Sequence, residues 1–129
     1  MTLEEVNNFE KLQSQLQGLH NEISALSKKS HNDALNKFKL KFINQILSEC
    51  NELLGNDYKP FDDFDLFDEN DMPSNSDAAM MLTQYLNCFE KLRGDNIRQQ
   101  SKYPAHWCWM IDGSFSDIRT IPPKTIKDK

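Results

Sequence analysis

The chain has only four glycines and three cysteines among 129 residues, and it contains no apolar run of the ~18 residues that a membrane span needs. Each shortage excludes something. Without such a run, no segment is expected to cross a membrane. The glycines fall in no G-x-x-x-x-G-K-S/T or G-x-G-x-x-G arrangement, so no phosphate-cradling loop is available. H-E-x-x-H and G-x-S-x-G are absent as well. Cys50, Cys88 and Cys108 are odd in number and far apart, which fits reduced thiols better than a disulfide framework. The opening Met1-Thr2-Leu3-Glu4-Glu5 is acidic and lacks the basic, then apolar, start of a secretory leader. Cytoplasmic residence is therefore expected.

Metal and cofactor chemistry finds little support. The best ligand cluster, His106-Trp107-Cys108, matches no zinc spacing. Asp63, Asp65 and Glu69 resemble part of a calcium loop. The tight-turn glycine is missing, and Ser74 stands where the last carboxylate belongs. No metal and no cofactor is expected. An isoelectric point near 5.1 also disfavours direct nucleic-acid binding.

What the chain does have is helical patterning. Over residues 3–29, Phe9, Leu12, Leu16, Leu19, Ile23 and Leu26 recur at alternating spacings of three and four, the rhythm of a coiled-coil seam. The stripe is narrow and suits pairing with one or two helices. These six residues form the expected oligomer interface of a homodimer. Over residues 31–54, Leu35, Phe38, Phe42, Ile43, Ile46, Leu47, Cys50, Leu53 and Leu54 read as a wider core-facing side, and Gly55 follows as a C-terminal cap. A third helix is expected over 75–98, with Ala78, Met81, Leu82, Tyr85, Phe89 and Leu92 as its stripe. Thr2, Ser30 and Ser74 each precede an acid by three residues, which marks three helix starts.

The last segment changes period. His106-Trp107-Cys108-Trp109-Met110-Ile111 and Ser114 to Thr120 flank Asp112-Gly113, a strong hairpin signal over 106–120. Trp107, Trp109 and Ile111 share one face and should dock on the helices. Residues 122–129 read as a flexible tail. The expected class is mainly α, one domain, with a three-helix bundle-like core, a coiled-coil-like first helix and a C-terminal β-hairpin.

Charge is unevenly placed. The net charge is −5, yet residues 56–77 alone hold eight acids and one base, a net of −7. The connection 56–74 threads aromatics through those acids at Tyr58, Phe61, Phe64 and Phe67. Either the rings clamp the loop to the helices, or the segment is exposed and docks on a basic partner. In the second case Phe61, Asp62, Asp63, Phe64, Asp65, Phe67 and Asp68 are the partner-binding residues.

These features favour a non-catalytic protein-protein interaction or regulatory module, self-associating through the first helix. One alternative is an acidic inhibitor whose carboxylates substitute for phosphates on a nucleic-acid-binding protein. Another is a small hydrolase or nuclease using His106, Asp112 and Asp117.

Overall fold

The computed structural model describes residues 1–102 and 104–124. Three helices, α1 (Leu3–Ser30), α2 (Lys37–Tyr58) and α3 (Asn75–Asp95), are followed by strands β1 (Ile97–Gln100), β2 (His106–Ile111) and β3 (Ser114–Thr120). The strands form an antiparallel sheet in the order β1-β2-β3. Among the described residues, no helix is long and apolar enough to cross a membrane.

Local chemistry starts each helix. The Thr2 hydroxyl accepts from the Glu5 amide (3.1 Å) while the Glu5 carboxylate accepts from the Thr2 amide (2.8 Å), so both free donors are satisfied. Ser74 accepts from the Asp77 amide in the same way at the start of α3. The expected start at Ser30 is corrected. Asn36 caps α2 by accepting from the Lys39 amide (2.8 Å), six residues later than expected. The intervening backbone is used elsewhere: Leu35 N–H donates to Pro73 O, while Asn75 N–H and Ser76 N–H donate to Asp33 O and His31 O. Backbone groups committed to the start of α3 are unavailable for a helical turn.

Gly55 takes a positive φ of 64° as expected, but α2 resumes for one further turn to Tyr58. The third helix stops at Asp95, not at residue 98. Asn96 turns the chain, and Ile97–Gln100 becomes a third strand, with Ile97 opposite Trp109 and Gln100 opposite His106. Asp112 (φ 52°) and Gly113 (φ 81°) make the tight turn of the hairpin.

One contiguous core joins helices and sheet. Val6, Phe9, Leu12, Leu16 and Ile23 of α1 meet Ala78, Leu82, Tyr85 and Phe89 of α3, with Leu40, Ile43, Leu47, Cys50 and Leu54 from α2. Phe9 is at the junction with the sheet, stacked on Phe89 (4.9 Å between centroids) and edge-on to Trp109 (5.0 Å). Trp109 is fully buried and its indole N–H donates to Glu10 (3.3 Å). Trp107 and Ile111 are half-buried on the same core, so the expected face of the hairpin does dock.

The expected tail divides. Residues 122–124 are tied to α3 by Glu90 and Arg93, whereas residues 125–129 lie outside the described residues.

Candidate functional site

The seam residues of α1 have a use inside the chain. Phe9, Leu12, Leu16 and Ile23 are buried against the chain's own helices and sheet, and Leu19 and Leu26 are half-buried at the edge of that core. The narrow stripe is filled by α3, α2 and Trp109 within the chain.

The acidic connection splits by residue. Phe64 and Phe67 turn inward, edge-on to each other at 5.1 Å, with Phe64 also 6.4 Å from Tyr85. Two asparagines of α2 fasten the backbone. Asn44 is buried, donates to Phe67 O and accepts from Phe67 N–H, both at 3.0 Å. Asn51 donates to Asp65 O (2.8 Å) and accepts from the Tyr85 hydroxyl (2.5 Å). Burial pushes the Tyr85 phenol up to about 12, against the opposing effect of its bond to Asn51. Lys59 pairs with Asp65, and Tyr58 donates to Asp95 (2.7 Å). That bond raises the phenol of Tyr58 and holds the Asp95 carboxyl below the usual carboxylate range. The opposite edge of the loop faces water: Phe61, Asp62, Asp63, Asp65, Leu66, Asp68, Glu69 and Asp71 are exposed. Among the described residues, no three His, Cys, Asp or Glu side chains are grouped to hold a metal ion.

The α2 surface corrects the sequence reading most. Phe38 and Phe42, expected in the core, are 73% and 41% exposed. The true core stripe is Leu40, Ile43, Leu47, Cys50 and Leu54, again at spacings of three and four, and it was readable from the same heptad rhythm as α1. The two phenyl rings sit edge-to-face at 5.0 Å, one turn apart, with the Lys41 ammonium 5.7 Å from the Phe42 centroid. Lys39 is paired with Glu22 (2.9 Å). Among the described residues, Lys37 and Lys41 have no carboxylate within ion-pair distance. An exposed aromatic pair beside unpaired lysines has the composition of a protein-binding patch.

The hairpin residues do not converge. His106 begins β2 and bonds locally to Pro104 O (3.0 Å). Asp112 is in the turn at the far end of that strand, about 20 Å away at ~3.3 Å per residue. Asp117 is exposed on β3.

Sequence reading also missed two buried polar groupings. Arg93 forks onto Glu90 and reaches Thr120, Ile121 O and Pro122 O, closing the C-terminal segment over α3. Their spacing of three on a helix was the available signal, but it gives no hint of burial. Between α1 and α3 lies an open groove of about 810 Å³, lined in part by Glu10, Gln17, Asn87 and Lys124. His20 sits in it with Nε2 2.8 Å from Thr83 Oγ1. Thr83 also bonds to Ala79 O (3.1 Å), Ser24 Oγ is 3.4 Å from the same Nε2, and the buried Nδ1 is left without a protein partner among the described residues.

The chain matches no family model, and no curated protein or solved structure is detectably similar to it.

Proposed function

We propose that this chain is a non-catalytic protein-protein interaction module that binds through the outward face of α2. The observation that carries the reading is Phe38 and Phe42: two large aromatic side chains, outside the core, edge-to-face with each other beside Lys37 and Lys41. Fully burying an exposed phenyl ring is worth about 1.5–3 kcal/mol, and a partner that covers Phe38 and the exposed part of Phe42 recovers a share of it at each. The three free thiols, two of them buried, suit a reducing compartment, and the reading assigns the cytoplasm.

Affinity capture from host extract tests this. The parent chain should retain partners that the Phe38→Ser, Phe42→Ser double variant loses, with circular dichroism unchanged. Identical capture by both forms would overturn the assignment of this face.

A second reading is supported by the exposed carboxylates of the loop. Asp62, Asp63, Asp68, Glu69 and Asp71 point outward from a backbone fixed by Asn44 and Asn51, as anionic groups substituting for phosphates on a basic protein would need to do. Capture that survives the phenylalanine substitutions but is lost on changing Asp62, Asp63 and Asp71 to Asn would favour it.

A further inference from the structure

The groove between α1 and α3 has uncharged walls in a chain where charge is common. Asp, Glu, Lys and Arg make up 27% of the sequence, yet residues 12–21 of α1 and 78–89 of α3 contain none. These two stretches face each other, with Leu16 and Leu82 in the shared core and Thr83 bonded to His20. Charge on the groove is confined to one end, at Glu10, Glu90 and Lys124. The walls carry carboxamides instead: Gln13, Gln17 and Asn21 from α1, and Asn87 from α3.

The carboxamides are regularly spaced. Gln13, Gln17 and Asn21 follow one another at intervals of four residues, so their amides recur about every 6 Å along α1. An extended chain presents backbone N–H and C=O groups to one side at every second residue, about 6.6 Å apart. From Glu10 to Asn21 the groove runs roughly 16 Å along α1, the length of about five extended residues. Gln17 Nε2 donates to Asn21 Oδ1 (2.9 Å), which orients both amides and leaves the Gln17 carbonyl and the Asn21 N–H groups for a ligand. A peptide backbone needs one acceptor and one donor of this kind. The half-buried Leu86 adds an apolar patch to the wall formed by α3.

We infer that this groove binds an extended, uncharged peptide segment of a partner protein. Gln13, Gln17, Asn21 and Asn87 hold the segment through its backbone, and one apolar side chain of the segment sits on Leu86. A volume of about 810 Å³ is within the range of ligand sites. A polyanion does not fit the lining, because Lys124 is the one Lys or Arg among the described lining residues and the carboxylates of Glu10 and Glu90 stand beside it. The groove lies between α1 and α3, whereas Phe38 and Phe42 are on α2, so failure at one surface leaves the other untouched.

Nuclear magnetic resonance titration of the full chain, labelled with nitrogen-15, reads the result. The probe is a short peptide of serine, threonine and glutamine with one central leucine, acetylated and amidated at its ends. Amide signals of residues 10–21 and 83–90 should shift and saturate. Two further probes carry methyl groups on alternate backbone nitrogens, one set each, and at least one of them should bind about tenfold more weakly. Reordering the serine, threonine and glutamine residues should leave the affinity unchanged. Gln17→Ala with Asn87→Ala, at two exposed positions, should keep the parent circular dichroism and bind the probe about tenfold more weakly. Raising salt from 0.1 M to 1 M should change the affinity by less than about twofold, since no ion pair is made. The Phe38→Ser, Phe42→Ser variant should bind the probe as the parent does. No shifts at millimolar peptide would overturn the assignment of this groove, as would shifts centred elsewhere. Equal binding of both methylated probes, or of the Gln17 and Asn87 variant, would overturn it too. Shifts at the same residues with maltohexaose and none with the peptide would give the groove to a saccharide and overturn the peptide reading.

Discussion

Arg93 and Glu90 meet through two parallel hydrogen bonds, Nε to Oε1 at 2.9 Å and Nη2 to Oε2 at 2.7 Å, with the guanidinium almost wholly buried beneath the end of β3. The pair ties together parts of the chain that the core does not reach. Arg93 donates to Thr120, Ile121 O and Pro122 O, while Glu90 also accepts from the Lys124 amide (2.9 Å).

Removing one member leaves the other charge buried and unpaired. Arg93→Ala should cost about 3–5 kcal/mol and lower the thermal midpoint by on the order of 10 °C. Burial alone would raise the Glu90 carboxyl, but the Arg93 bonds and the Lys124 amide outweigh it, and the group is held below the usual carboxylate range. Its folded value being the lower one, Glu90 contributes stability above the ordinary carboxylate range and loses it as pH falls through the folded value. Denaturant titrations against pH should show a shallower acid limb for Glu90→Gln. An unchanged limb would remove Glu90 from the account.

Asn44 predicts a separable behaviour of the acidic connection. Asn44→Ala strips Phe67 of both backbone partners and should cost about 1–3 kcal/mol. Hydrogen exchange at the Phe67 amide should accelerate well before the helices open. Protection equal to that of the parent would mean that the ring packing, not Asn44, holds the loop.

Leu16 distinguishes a core from a seam. It is fully buried within the chain, so Leu16→Glu should abolish cooperative unfolding and near-ultraviolet signal at all concentrations. Leu16→Ala should cost about 2–5 kcal/mol. A folded, monomeric Leu16→Glu variant would show instead that this side chain is accessible.

Cys50 should be inert in the folded state. Burial, then the neighbouring Glu49 charge, pushes its thiol up to about 12, leaving almost no thiolate near neutrality. Mass spectrometry after brief alkylation at pH 8 should find Cys50 unmodified until denaturant is added, and early native labelling there would contradict the packing.

Three helices and a hairpin were legible because the apolar period is strong and because Thr2, Ser74 and Asp112-Gly113 satisfy strict local geometry. The start of α2 was not legible at Ser30, since the competing partners of residues 31–35 lie at 73–76, far along the chain. Ile97 and Arg98 read as the end of a helix, and Gln99 and Gln100 as no element, because the strand identity of this stretch comes from pairing with β2, not from its own residues. Phe38 and Phe42 were misplaced for another reason. Hydrophobicity alone assigned them inward, although Leu40 and Ile43 already occupied the inward angle. The same two residues are the ones on which the proposed binding face rests.

The meeting of Phe9 with Trp109 has a kinetic consequence. These residues lie a hundred positions apart, and Phe9 cannot complete its packing until β2 has been made. During synthesis at ~5–20 residues per second, the first helix waits for several seconds with its apolar stripe uncovered. Closing so long a stretch is entropically slow, so the final docking of the hairpin on α1 should set the folding rate. The protein is therefore most exposed to misassembly before its last quarter leaves the ribosome, and a chain truncated ahead of Trp109 should aggregate where the full chain folds.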